Sequence, residues 1–327
     1  MTGEKPKIGA RFAVLCAGFI IILTASVFLG RYSVSVRELI DGGTSVTVLF
    51  NIRLPRILAC VIVGAALSLA GVSYQGMFRN PMVSPDILGA SSGAGFGAAL
   101  GILLSFGYLG ISVSAFLFGL GSVLLAWCIS RVSRLDQTLS MVLSGIVVSS
   151  LFSASTSFIK LIADTENTLP AITYWLMGSM SSIKWRDTLF VCIPVIVGAV
   201  PLFLLRWRIN ILTVSEDEAK SLGVNTSALR TVVIACATLI TAASVAVSGM
   251  IGWVGLVIPH FCRLMFGYDY RRLIPASAVM GAAFLLAVDD IARVITTSEL
   301  PLGILTSFVG APVFVWLILK GGAAREH

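Results

Sequence analysis

Long apolar runs separated by short polar joints set the character of this chain. A bilayer core about 30 Å thick is crossed by about 20 apolar residues in a helix. Ten such runs can be laid along the 327 residues, near 9–30, 54–77, 87–107, 111–130, 137–162, 188–206, 228–248, 250–267, 274–293 and 301–319. The pattern predicts an all-α, polytopic membrane protein of ten transmembrane helices. Gly252, Gly255 and Pro259 interrupt the eighth run. Met1 to Ala10 is short and positively charged, and no small-residue cleavage site stands out after Leu29, so the first run reads as a retained helix. Nothing resembling a linker divides the chain, which reads as one transmembrane domain over 1–327.

Composition agrees. Mean hydropathy is +0.97 and only 12% of residues are charged, against roughly 25% in soluble domains. The basic residues then give the orientation, because cytoplasmic loops collect Lys and Arg. With the N-terminus inside, 15 of the 23 Lys and Arg fall on the inner side and the acidic residues divide evenly, so the whole net charge of +7 belongs to that face. Both termini are therefore expected in the cytoplasm, and the basicity needs no nucleic-acid partner. Six cysteines lie within or at the ends of apolar runs, without the spacing of a metal site or a disulfide framework.

Three hydrophilic islands stand out. Arg31 to Arg53, outside, carries a short helical pattern around Val36 to Ile40. Ala163 to Asp187, also outside, contains Tyr174-Trp175-Leu176-Met177-Gly178, suited to the membrane interface where Trp and Tyr collect. The third, inside, reads RWRINILTVSEDEAKSLGVNTSALR. Ser215 before Glu216, Asp217 and Glu218 is a helix start, since a serine cap and an acidic first turn answer free N–H groups and the helix dipole. Gly223 after Leu222 is a stop. The segment predicts a short cytoplasmic helix over 215–222, either a solvated loop element or a knob for a cleft on a partner. Within the runs, glycines and other small residues crowd positions 64–71 and 89–97, as expected where helices pack closely without a hydrophobic drive.

Candidate chemistry is sparse. There is no G-x-x-x-x-G-K-[ST], so the chain has no P-loop for ATP and any nucleotide-driven motor is another polypeptide. His260 stands alone after Pro259 and reads as a packing or hydrogen-bonding residue, not a haem or metal ligand. No Ser–His or Asp–Asp arrangement points to an intramembrane protease, so the chain does not read as an enzyme. An ion-coupled carrier would keep ionisable residues at mid-membrane, where they are costly; here charges sit at run ends, with Asp289-Asp290 within a turn of the outer end. Arg53, Arg56 and Arg293 lie on the outer face against the positive-inside bias. They are explained either by lipid head groups and pairing with Asp289, Asp290 or Glu299, or by bidentate recognition of carboxylates on a soluble partner.

Three blocks carry a family resemblance: Arg53 to Leu100 with RLPR and RNP, Ser248 to Arg293 with GLVIPH, and Glu299 to Lys320 with ELPLG. In that order they resemble the permease subunits of bacterial ABC importers for iron-siderophore, haem and cobalamin, over residues 12 to 320. The resemblance implies a type II importer in a bacterial or archaeal cytoplasmic membrane. Its permease pairs with a second copy, and the path runs at the dimer interface. Two ATP-binding subunits hold ATP and Mg, this chain holding no cofactor or metal, and a periplasmic or lipoprotein binding protein docks above. By position, Arg53, Arg56 and Arg293 are similar to arginines that meet glutamates of the binding protein. The 215–222 segment, with Ser215, Glu218, Ala219, Leu222 and Gly223, is similar to the coupling helix on the ATPase. Asn80, Pro81, Met82, Thr138 and Leu139 resemble the inner gate, and Ser144, Val148, Ser149, Phe152 and Ser155 a path-lining face. Two departures stand out: Trp253, where the family often has a smaller aliphatic or Phe, and the doubled acid Asp289-Asp290, which adds a carboxylate beside Arg293. The implied cargo is a bulky metal chelate. The alternatives are an oxyanion such as molybdate on the same fold, or an ion-coupled carrier.

Overall fold

A computed structural model of the chain describes residues 5–30, 32, 43–134, 136–213, 219, 223–295 and 299–323, and every regular element among them is helical. After α1 (Lys5–Phe28) comes one continuous helical run, formed by α2 (Thr44–Val48), a π-helical turn (Leu49–Arg53) and α3 (Leu54–Met77). The π turn has a local cause. Pro55 has no N–H for the carbonyl of Asn51 and its ring crowds that carbonyl, so the turn ahead of it widens. The helix thus begins at Thr44, well before the expected residue 54. The helical pattern read around Val36 to Ile40 falls outside the described residues.

A 3₁₀ turn (Pro85–Leu88) leads into α4 (Ala90–Leu103), followed by α5 (Tyr108–Val132) and α6 (Gln137–Ile162). The second island carries α7 (Thr168–Met177), stopped by Gly178 at φ +73°. Then follow α8 (Trp185–Leu204), α9 (Arg206–Leu212), α10 (Thr226–Ser248), α11 (Val254–Phe266), α12 (Tyr270–Ile295) and α13 (Leu302–Ala323). Each apolar run of the sequence carries a helix. Six spans, Ile8–Phe28, Thr44–Met77, Tyr108–Val132, Gln137–Ile162, Trp185–Leu204 and Thr226–Ser248, are long and apolar enough to cross a membrane by length and composition. Ala90–Leu103, Val254–Phe266 and Leu302–Trp316 are apolar but shorter. The interrupted eighth run resolves into a helix that starts only at Val254, preceded by left-handed backbone at Gly249 (φ +69°) and Trp253 (φ +71°). The Trp253 ring packs against Phe314 at 6.0 Å and covers Gly310, where a Cβ would lie 2.5 Å from the indole.

The bundle is organised around α3, which packs against α8, α10, α11 and α12. Two crossings show why small residues crowd that helix. A Cβ on Gly64 would lie 2.3 Å from the carbonyl oxygen of Gly281 in α12, and one on Gly71 would lie 1.9 Å from that of Gly255 in α11. Backbone meets backbone there, the approach that lets apolar helices associate in lipid. Hydroxyls reinforce the α4–α5 contact: Ser114 Oγ donates to Gly97 O over 2.7 Å and Ser122 Oγ to Gly89 O over 2.8 Å.

Candidate functional site

The two ends of the bundle carry different chemistry. At one end the π turn and Pro55 bring Arg53 and Arg56 to the start of α3, opposite the last turns of α12. Arg56 Nε lies 3.0 Å from Asp289 Oδ2 and its Nη2 donates to Oδ1 over 2.8 Å, while Nη1 donates to Glu299 at 2.9 and 3.0 Å. Arg293 Nε stands 3.1 Å from Asp289 Oδ2, and its Nη2 donates to Asp290, which also accepts from Ser26 of α1. Arg53 donates to backbone carbonyls, Val27 O over 2.5 Å and Tyr32 O. All three arginines are buried, Asp289 fully so. Two guanidiniums, Arg56 and Arg293, meet three carboxylates, and Arg53 beside them brings the cluster's formal charge to zero. Of the two readings that the sequence left open for Arg56 and Arg293, pairing within the chain is the one that the geometry displays.

The other end is polar but largely uncharged in its contacts. α3 closes there with Asn80 N–H to Gln75 O (3.2 Å) and Arg79 N–H to Gly76 O (3.3 Å), with Arg79 left-handed at φ +52°. Glycine usually takes that place, and a side chain there costs about 1–2 kcal/mol. Asn80, Pro81 and Met82 follow as an exposed turn, with Asn80 Oδ1 accepting from Met82 N–H over 2.9 Å. Thr138 and Leu139 open α6, where Asp136 Oδ1 caps both their N–H groups at 2.9 and 3.1 Å. Thr138 shares a narrow cleft with Met77 and Phe78 at the end of α3, so the two gate candidates lie at the same end of the bundle.

The buried node beneath that turn was not singled out from the sequence. Pro259 has no N–H for the carbonyl of Gly255 four residues earlier. Gln75 of α3 supplies the missing donor: its Nε2 lies 3.3 Å from Gly255 O and 3.1 Å from Val83 O, while Arg263 Nη2 donates to its Oε1 over 2.5 Å. A glutamine and an arginine inside apolar runs were the available signal, since polar groups are costly there.

Of the coupling candidates, Ser215, Glu218 and Leu222 lie outside the described residues. Ala219 is helical and fully buried, so it faces its own chain. Gly223 at φ +71° with Val224 N–H to Ala219 O (3.3 Å) forms the expected stop. Ahead of this segment, α9 is pinned twice. Arg79 Nε donates to Leu212 O over 2.7 Å, and Asn210 Nδ2 donates to Asp269 Oδ1 over 2.9 Å while its own Oδ1 accepts from Tyr270 N–H. Partial burial pushes the Asp269 carboxyl up. The Arg271 N–H, the Asn210 amide and the Arg271 and Arg272 charges outweigh it and hold the group below the usual carboxylate range.

The residues that the resemblance assigned to a path-lining face of α6 are placed as follows. Ser144 and Val148 are buried, Gly145 packs against Ile87 O, and the Phe152 ring rests 5.5 Å from Phe96. Ser149 Oγ faces Gly89, and Ser155 Oγ bonds back to Leu151 O over 2.9 Å. Ser144, Gly145 and Val148 serve helix packing here, and the face left open carries Leu143, Ile146, Val147 and Leu151 together with Ser150, Ser153 and Ser157. An open cavity of about 640 Å³ lies elsewhere, between the end of α7, the 250–252 segment and the start of α13. It is lined by Met177, Met250, Ile304 and Phe308 with Ser307 as a polar spot. Leu302 N–H to Gly178 O and Ser179 N–H to Ser248 O, both 2.8 Å, tie its walls together.

Comparison with known proteins places this architecture. The molybdate import permease MolB of Haemophilus influenzae is 41% identical over 94% of this chain and 96% of its own. The hemin transport permease HmuU of Yersinia pestis is 36% identical over 95% and 97%. A solved structure described as an inward-facing conformation of a putative metal-chelate type ABC transporter superposes with a TM-score of 0.89 at 41% identity, covering 95% of this chain and 99% of that one. The profile of the FecCD transport family matches residues 18–320, and the chain belongs to that family.

Proposed function

We propose that this chain is the membrane permease of an ABC importer, moving a bulky metal chelate such as a ferric siderophore, haem or cobalamin inward at the expense of ATP hydrolysed by a separate subunit. The observation that carries the cargo class is the cavity between α7 and α13: wide, lined by methionines, leucine, isoleucine and phenylalanine, and without a charged side chain. Such a surface grips a large, largely apolar chelate weakly, as transit requires, and offers an oxyanion no cation. Ten membrane helices with both termini in the cytoplasm, a second copy of the chain, two ATP-binding subunits and a binding protein complete the reading. The exposed apolar faces of α1 and α6 suit lipid and the second copy. The 215–222 segment is where the ATPase would push, shifting a two-state bundle by its differential binding. Docking of a delivery protein at the opposite end would draw on Arg53, whose donors meet carbonyls; Arg56 and Arg293 are committed to carboxylates of this chain.

A second reading, molybdate as cargo, is favoured by the 41% identity to MolB. The test is uptake of labelled haem, ferric siderophore, cobalamin and molybdate by the assembled transporter in liposomes with ATP inside. Uptake of a chelate in preference to molybdate supports the first reading; molybdate uptake alone overturns it.

A further inference from the structure

α3 ends in a closure that ordinarily takes glycine, and this chain puts an arginine in it. Arg79 holds the left-handed position (φ +52°) between Gly76 and Asn80, so its side chain is retained against a backbone preference; strain of this kind points to a role for the group that bears it. The guanidinium reaches Leu212 O over 2.7 Å. Leu212 is the fully buried last residue of α9, directly ahead of the segment that leads to 215–222. On its other side Arg79 is bonded through the backbone to Asn80, whose side chain shapes the turn to Met82. The same α9 is held to the start of α12 through Asn210, Asp269 and Tyr270. Val83, which closes the turn, is anchored on Gln75. Among the described residues the 80–83 turn therefore has a fixed inner support in Gln75, and the hydrogen bond that links its entry to α9 is that of Arg79, beside the packing of Ile209 on Gly76.

We infer that Arg79 is a positioning residue that hands displacement of α9 to the 80–83 turn, so that movement imposed at 215–222 opens and closes the inner end of the path. This rests on the reading of that segment as the place where an ATPase pushes. A planar guanidinium bonded to a helix-terminal carbonyl transmits a push; a glycine in the same closure keeps the fold and transmits none.

The test uses the full complex with its ATPase and binding protein in liposomes, comparing wild type with Arg79→Gly and Arg79→Lys. Three readouts are taken: thermal midpoint, ATP hydrolysis, and cargo moved per ATP. Arg79→Gly removes the backbone strain, so its midpoint stays level or rises, and ATPase assembly and hydrolysis persist. Cargo moved per ATP falls about tenfold, the scale of one hydrogen bond from a charged group. Arg79→Lys, which can reach the same carbonyl, recovers part of the loss. Normal coupling in Arg79→Gly overturns the inference. So does an Arg79→Lys no better than Gly, or loss of ATPase binding in Arg79→Gly, which would make the residue a partner contact. A wild-type complex without ATP-driven uptake overturns the functional reading and this inference together, whereas a defect-free glycine variant beside an active wild type overturns this inference alone.

Discussion

The two ends of α3 differ in how they are held. At Arg56 the helix is fixed by a buried, self-neutralised lattice of guanidinium and carboxylate groups spanning α1, α3, α12 and Glu299. At Met77 it is held by hydrogen bonds, through the buried Gln75 that also accepts from Arg263, and through single bonds of Arg79 and Asn80 at the exposed turn. Buried ion pairs are costly to part because each leaves an uncompensated charge, whereas a lone hydrogen bond is exchanged with water for about 1 kcal/mol. A bundle that must alternate between two arrangements gains from having one end that keeps its contacts and another that can trade them.

Breaking the lattice should have the largest effect. Asp289→Ala strands Arg56 and Arg293 without their shared carboxylate and is expected to cost about 3–5 kcal/mol, visible as a large fall in the thermal midpoint of the detergent-solubilised protein. A loss under about 1 kcal/mol would show that the two ends are not held differently. The α3 crossings come next: Gly71→Ala forces a methyl into Gly255 O and should cost about 1–3 kcal/mol by the same measurement. At the loosely held end, Asp136→Ala removes the cap from α6 for about 1 kcal/mol; a cost matching that of Asp289→Ala would erase the contrast. Smallest is a pH effect at Asp269. Its carboxyl is held below the usual range, so its link to Asn210 contributes above the unfolded value and is lost as pH falls through the folded one. The protection factor of the Tyr270 amide should fall on acidification below that range, and Asp269→Asn should flatten the dependence.

Much of this was legible in the sequence, for identifiable reasons. Apolar runs of span length placed the helices, Gly223 marked a stop, and the acid–arginine pairing was one of two explanations open for Arg56. What periodicity could not tell was direction. The resemblance gave Ser144, Val148, Ser149, Phe152 and Ser155 as a path-lining face, and what the sequence did not show is that Ser144 and Val148 are buried while Gly145 and Ser149 lie against Ile87 and Gly89, since in lipid small residues mark close contact. The Gln75–Pro259 partnership was hidden for another reason. It joins a missing N–H in α11 to a donor in α3, far apart in the chain, and neither residue alone announces the other. Likewise the π turn before Pro55 depends on a single ring whose effect falls on residues ahead of it.

The central claim is that this permease borrows its motor, and vesicle uptake with and without that motor tests it most directly. Liposomes bearing this chain with its ATP-binding subunit and delivery protein should accumulate labelled cargo when ATP is enclosed, and should not when the ATP-binding subunit is omitted, whatever ion gradient is imposed. Accumulation by the chain alone, driven by a proton or sodium gradient and indifferent to ATP, would contradict the account.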